Sequence, residues 1–247
     1  MNPHYLLATV KRVLLQLKAD KRSIALILLA PVALMSLFYY MYSSTPAGTQ
    51  LFKTISTVMV AVFPLMLMFL MTSVTMQRER NAGTLERLWT TNIHRVDLIG
   101  GYGVAFGIMA VAQSLLMVLT LRYLLGVETE SEWWISTLIA AITGLIGVSL
   151  GLLSSAFAST EFQAIQTLPL LILPQFLLCG LLIPRDDLPD VLRWVSNVLP
   201  LSYAVDAALE ASRTGIGQQV VVNIAICAAF AVGFLLVAAL SMPRKTR

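Results

Sequence analysis

Six stretches of mostly apolar residues, at 23–42, 54–76, 98–121, 133–157, 164–183 and 218–242, decide what this chain can become. A bilayer's hydrocarbon core is about 30 Å thick and takes about 20 apolar helical residues to cross. Backbone exposed to lipid has no water to bond, so each run must be a helix or a strand of a closed barrel. Barrel strands alternate apolar and polar residues, whereas these runs are continuous. The expectation is an all-α integral membrane protein with six transmembrane helices.

The charges agree. Only 12% of the residues are charged, against about 25% in a soluble domain, and they sit in the gaps between runs. The net charge of +4 does not point to nucleic acid, because the basic residues gather at the ends of runs and stripe no face. Cys179 and Cys227 both lie inside apolar stretches and are expected as packing residues, not as a disulfide. The first run follows a segment rich in Lys and Arg and is long enough to span, so it is expected to stay as an anchor.

Lys and Arg near helix ends set orientation. One side collects twelve: Lys11, Arg12, Lys18, Lys21, Arg22, Arg78, Arg80, Arg87, Arg95, Arg244, Lys245 and Arg247. The other side holds five, Lys53, Arg122, Arg185, Arg193 and Arg213, together with Glu128, Glu130, Glu132, Asp186, Asp187 and Asp190. Both termini are therefore expected in the cytoplasm, with the chain a multi-pass protein of the cell membrane. Residues 1–22 form one unit and 23–247 the six-span domain. In the first unit Tyr5, Leu6, Val10, Val13, Leu14 and Leu17 recur at helical spacing. A basic amphipathic helix before a span is expected to lie along the membrane surface, in contact with lipid.

Within the runs, Gly103-x-x-x-Gly107 and Gly147-x-x-x-Gly151, with Gly144 nearby, permit close helix–helix approach. The glycines at 101, 103 and 107 do not make a dinucleotide loop: their spacing is wrong and no strand precedes them.

Two segments are more than connectors. Residues 77–97 read QRERNAGTLERLWTTNIHRVD, the densest charge in the chain. Leu85, Leu88 and Trp89 form a short helical stripe, with Glu86 and Arg87 on the other face. This suits either a solvated connector or a cytoplasmic docking surface. Residues 184–215 carry one apolar stripe of Leu188, Val191, Leu192, Val195 and Leu199, broken at Pro200, and a second of Leu201, Ala204, Val205 and Ala208. Helices of about a dozen residues are too short to cross. They either dip into the outer leaflet as a re-entrant hairpin or lie flat on the headgroups.

The same two segments carry a family resemblance. Gln77-Arg78-Glu79-Arg80-Asn81-Ala82-Gly83-Thr84-Leu85-Glu86-Arg87-Leu88 resembles the "(E)RE-x-GT-L-E-x-L" cytoplasmic signature of ABC-2-type transporter permeases. Cys179-Gly180-Leu181-Leu182-Ile183-Pro184, followed by Leu199-Pro200-Leu201-Ser202-Tyr203-Ala204, resembles that family's "G-x-x-x-P…P-x-x-Y" region after the fifth span.

The resemblance implies the membrane-spanning subunit of an ABC exporter, paired with a second copy or a homologous permease, each bound to a cytoplasmic nucleotide-binding ATPase subunit. Gly83, Thr84, Leu85, Glu86, Arg87, Leu88 and Trp89 would be the coupling helix, with Leu85, Leu88 and Trp89 packed against the ATPase. Residues 1–22 would be the connecting helix beside it. Pro184, Asp187, Trp194, Pro200 and Tyr203 would mark the extracellular re-entrant segment. No G-x-x-x-x-G-K-[ST] phosphate loop occurs, so ATP and Mg are expected in the partner, with no cofactor in this chain.

Few ionisable groups fall within the runs, which leans towards an amphipathic or hydrophobic cargo such as a drug, lipid, glycolipid or peptide. Phe63, Met66, Phe157 and Phe176 are candidates to line its path, alongside Met68, Met71 and Phe162. The alternative is a secondary carrier driven by an ion gradient, but no internal repeat and no buried acid for a proton is evident. His4 and His94 are the only histidines and both fall in the gaps, so neither a catalytic dyad nor a metal site is expected.

Overall fold

The computed structural model describes residues 3–89, 94–127 and 131–241. Among them every regular element is helical. The long helices are α1 (Pro3–Ala19), α2 (Lys21–Tyr42), α3 (Pro46–Asn81), α5 (Arg95–Leu119), α6 (Trp133–Phe157), α7 (Glu161–Leu178), α9 (Pro200–Thr214) and α10 (Gln218–Ser241). Two short ones, α4 (Thr84–Trp89) and α8 (Asp190–Val198), lie in the two segments singled out above. A π-helical turn, Thr120–Leu124, ends α5, and a 3-10 turn, Arg185–Asp187, precedes α8.

Local chemistry sets several boundaries. Asp20 caps α2 by accepting from the Ser23 amide at 3.1 Å, which separates α2 from α1 by a single residue. Thr45 caps α3 by accepting from the Gly48 amide at 3.1 Å, with Pro46 at the first helical position, where its missing N–H costs nothing. At 36 residues, α3 is roughly 54 Å long at 1.5 Å per residue. It therefore outruns a hydrocarbon core by several turns and carries residues 77–81 beyond it.

Among the described residues five helices are long and apolar enough to cross a membrane: α2, α3, α5 with its π turn, α6 and α10. The run expected as a further crossing, 164–183, is helical only as far as Leu178, because Gly180 adopts a positive φ of 93° that a helix cannot contain. The resulting α7 has 18 residues, and Gln163, Gln166 and Gln175 dilute its apolar character.

The centre of the bundle is the pair α3 and α6. Their approach depends on two glycines: a Cβ at Gly147 would lie 2.2 Å from the Leu65 carbonyl oxygen, and one at Gly151 2.6 Å from that of Phe69. The α6 glycine pair thus does what its spacing suggested. Gly103 and Gly107 instead line an open apolar groove of about 640 Å³ beside α6. Ser149 donates to the Ala231 carbonyl at 3.0 Å and so ties α6 to α10, one of the interhelical hydrogen bonds that hold helices together where water is absent.

The N-terminal helix packs its apolar stripe against the rest of the chain. Its stripe of Val10, Val13 and Leu17 is buried in a core shared with Leu98, Tyr102 and Phe106, so the stripe faces protein and not lipid. Gly101 makes this contact close, since a Cβ there would meet Thr9 at 2.6 Å. Leu7 and Leu15 remain exposed on the far side.

Candidate functional site

At one end of the bundle the charged segment becomes three pieces of structure. The last turn of α3 carries Gln77 to Asn81, Gly83 reverses the backbone with a φ of 67°, and α4 begins at Thr84. Leu85 is 1% exposed and packs into the core that holds Val10, Val13, Met76 and Leu98, while Leu88 is half-buried against that core. This corrects the expected docking stripe at Leu85, whose side chain turns to the chain's own core. A six-residue helix lying over an apolar core gains more by burying its leucines there than by offering them outward. Leu85 is therefore not available to a partner, whereas Arg87 is exposed. The side chains of Glu86 and Trp89 lie outside what is described, as do residues 90–93.

Glu79, inside the same motif, is the hub. Arg12 of α1 donates to both of its carboxylate oxygens, at 3.2 and 3.0 Å, and to the Tyr102 hydroxyl at 2.6 Å. The Tyr102 hydroxyl in turn donates to Glu79. Glu79 is buried, and Tyr102 is wholly so. Burial pulls the Arg12 guanidinium down, but its contacts with Tyr102 and Glu79 outweigh it and the net shift is upward. One bidentate ion pair thus joins α1, α3 and α5, in the geometry that gives Arg–carboxylate pairs their specificity.

The neighbouring arginines tie this layer to the rest of the bundle. Arg80 donates to the carbonyls of Ala156 and Ala158 at 3.4 and 3.5 Å, at the C-terminal end of α6, where helix carbonyls lack partners. Burial pushes its pKa down. Arg78 pairs with Glu161 of α7 at 3.1 Å, an exposed contact of little energetic weight. Arg95 donates to the Leu240 carbonyl at the end of α10 at 3.3 Å. Arg12, Arg78, Arg80 and Arg95, counted on one side by sequence, therefore gather at one end of the fold. Arg244, Lys245 and Arg247 lie outside the described residues.

At the opposite end the two halves of the second motif meet through a residue that neither names. Arg185 forms an ion pair with Asp206, donates to Asn197 Oδ1 at 2.5 Å, and places its guanidinium 5.4 Å from the centre of the Tyr203 ring. Tyr203 donates to the Asn197 carbonyl at 2.7 Å. Of the expected residues, Tyr203 belongs to this cluster and Pro200 is buried at the start of α9, while Pro184, Asp187 and Trp194 are exposed. Arg185, Asn197 and Asp206 were not singled out by sequence. Arg185 follows directly on Pro184, but nothing local names Asp206 as its partner. The helix α9 is packed inside the bundle through Leu201, Ala204, Val205 and Ala207, whereas α8 exposes Val191, Trp194 and Val198.

The candidate path residues do not share one pocket. Phe63 and Phe176 pack against the main core, Met66 is exposed on α3, and Phe157 is exposed at the last position of α6.

Long helices whose outer surfaces carry Leu29, Leu37, Leu170, Leu173, Val232 and Leu236 exposed define a protein that meets lipid, since water-facing surfaces rarely hold apolar patches of that extent. The class is that of polytopic helical membrane proteins. Residues 4–212 match the family described as ABC-2 type transporter, and the chain belongs to that family. It is 30% identical over 168 residues to "Probable multidrug ABC transporter permease YbhS" of Escherichia coli strain K12, covering 67% of this chain and 45% of that protein. It is 25% identical over 179 residues to "ABC transporter G family member 20" of Dictyostelium discoideum, covering 71% of this chain and 24% of that one. A shorter similarity, 38% over 77 residues, is to "Nodulation protein J" of Rhizobium leguminosarum bv. trifolii, covering 30% of this chain and 29% of that protein. The chain thus spans under half the length of the first two relatives.

Proposed function

We infer that this chain is the permease subunit of an ATP-driven exporter that moves an amphipathic or hydrophobic substrate across the cell membrane. A separate cytoplasmic ATPase subunit, holding ATP and Mg, supplies the energy, and a second copy or a homologous permease completes the pathway. The reading places the Arg12–Glu79 end in the cytoplasm and the Arg185–Asp206 end outside. It counts α7 as the fifth of six crossings and α8–α9 as the re-entrant segment. The burial of α9 among the long helices supports that last assignment.

The observation that carries the reading is the seating of α4. Leu85 locks α4 into the core shared by α1, the end of α3 and the start of α5, and the Arg12–Glu79–Tyr102 cluster ties those three helices together. A displacement of α4 is therefore delivered to α1, α3 and α5 as one body. Closure of the ATPase subunits on ATP would move α4, and the bundle would shift between inward- and outward-facing packings, a hinge or shear transition. ATP biases that equilibrium only by favouring one packing. In this scheme the contact offered to the ATPase is the face of α4 that bears Arg87, and Leu85 passes the motion inward.

Co-purification with the candidate ATPase tests this. Wild type in detergent should retain the ATPase, and Arg87→Glu should release it while keeping the same elution profile and thermal stability. Leu85→Ala should retain the ATPase and uncouple hydrolysis from transport. A wild type that never holds an ATPase overturns the reading.

A further inference from the structure

The end of the bundle that bears Arg185 also contains a cleft of about 760 Å³ between the start of α3, the π turn after α5 and the end of α9. Lys53, Arg122 and Arg213 line it, with Thr54, Thr57 and Ser212 between them and no carboxylate among the described lining residues. None of the three cations is in an ion pair among the described residues. Among the described residues the Arg122 side chain donates from Nη1 to the Ser131 carbonyl at 3.2 Å, which leaves most of its five donors for another group. At the other end of the bundle Arg12 and Arg78 each pair with an acid, whereas among the described residues no acid pairs with any of these three cations.

The backbone around Arg122 is also unusual. Leu125 N donates to the Thr120 carbonyl at 3.0 Å, five residues back, and Val127 N donates to that of Leu121 at 2.9 Å. Such single π turns recur at functional sites, and this one carries Arg122 and Tyr123, both of which line the cleft. Next to the cleft lies a smaller pocket of about 40 Å³ that shares Thr57, Arg122, Val127 and Ser212 and adds Ser56, Ser131 and Ser136 beside Val60, Val118, Leu121 and Ala208. Three cations with threonine and serine hydroxyls between them suit an anionic group.

We propose that this cleft binds the anionic headgroup, phosphate or carboxylate, of an amphiphile, with Lys53, Arg122 and Arg213 as its ligands. The site names a charge for the ligand that the apolar spans alone do not reveal, and its test uses neither nucleotide nor ATPase, so its failure would leave the coupling scheme untouched.

Native mass spectrometry of the full chain, released from detergent containing equimolar phosphatidylglycerol and phosphatidylcholine, is the direct experiment. Wild type should retain phosphatidylglycerol preferentially. Lys53→Gln and Arg213→Gln should each weaken that preference about fivefold, the scale of one basic residue meeting an anionic lipid. Lys53→Arg should keep it, and Lys21→Gln, at the other end of the bundle, should leave it unchanged. Variants are compared only where size-exclusion profiles match wild type, and the charge-preserving Lys53→Arg carries the test if a neutral variant fails to fold. Displacement of the lipid by inorganic phosphate would show that the anion alone suffices. Resistance to phosphate would show that the tail is also read. No preference for the anionic lipid in wild type, or a preference that Lys53→Gln and Arg213→Gln both leave intact, overturns the proposal.

Discussion

Arg12 and Glu79, 67 residues apart in sequence, face each other through both guanidinium nitrogens at 3.2 and 3.0 Å, with Tyr102 closing the third side. The pair fastens the helix before the first long run to the end of the longest one. Removing one partner of a buried pair leaves the other charge uncompensated, which costs more than the pair itself contributes. Glu79→Ala should lower the unfolding free energy by about 3 kcal/mol, read by thermal or denaturant unfolding in detergent. Replacing both residues by leucine should recover most of that loss. Strictly additive effects in the double variant would show that the two side chains do not act together.

The glycines of α5 and α6 should respond differently to a single methyl group. At Gly147 the added carbon meets the Leu65 backbone oxygen at 2.2 Å, which cannot move without displacing α3. At Gly103 it meets only the end of the Leu235 side chain, at 3.2 Å. Gly147→Ala should cost about 3 kcal/mol or abolish folded yield, and Gly103→Ala about 0.5 kcal/mol or less. Equal stability of the two variants would contradict the α3–α6 approach described here.

Arg185 should not tolerate lysine. Its planar fork reaches Asp206 and Asn197 while lying over the Tyr203 ring, and an ammonium reproduces only the charge. Arg185→Lys should destabilise the protein by about 1–2 kcal/mol, with the loss confined to α8 and α9. Hydrogen exchange would show it as faster amides in α8 and the first turns of α9, and unaltered ones in α6.

The cap between α1 and α2 should release on acidification. The Asp20 carboxyl is held below its usual range, first by the Ser23 hydroxyl and then by the Ser23 amide. A carboxyl with a lowered folded-state pKa contributes its stability above the unfolded value and loses it as pH falls through the folded one, here below about pH 4. Protection of the Ser23 and Ile24 amides should therefore hold at neutral pH and fall below that point. Asp20→Asn, which caps without titrating, should show no such step.

Five of the six apolar runs were legible as long, span-capable helices because their signal is local. A continuous apolar run of sufficient length can only be a helix in lipid, and Gly147-x-x-x-Gly151 was readable as a packing face from its spacing alone. The motif residues from Gly83 to Leu88 were equally visible as a unit. The direction in which that unit faces was not, because a stripe of two leucines on a short helix reads the same whether it turns outward to a partner or inward to its own core.

From the sequence came the all-helical class, the long apolar helices and the clustering of arginines at one end, since hydropathy and charge act residue by residue against the solvent. Tertiary structure decided which charges find partners. Arg12 reaches Glu79 because Gly101 lets α1 approach α5 closely enough, and Arg185 reaches Asp206 because α9 folds back into the bundle. The inward turn of Leu85 and the gathering of Lys53, Arg122 and Arg213 around one cleft have the same origin. Each depends on the distance between helices far apart in the chain, and that distance is set by packing, which no stretch of sequence contains on its own.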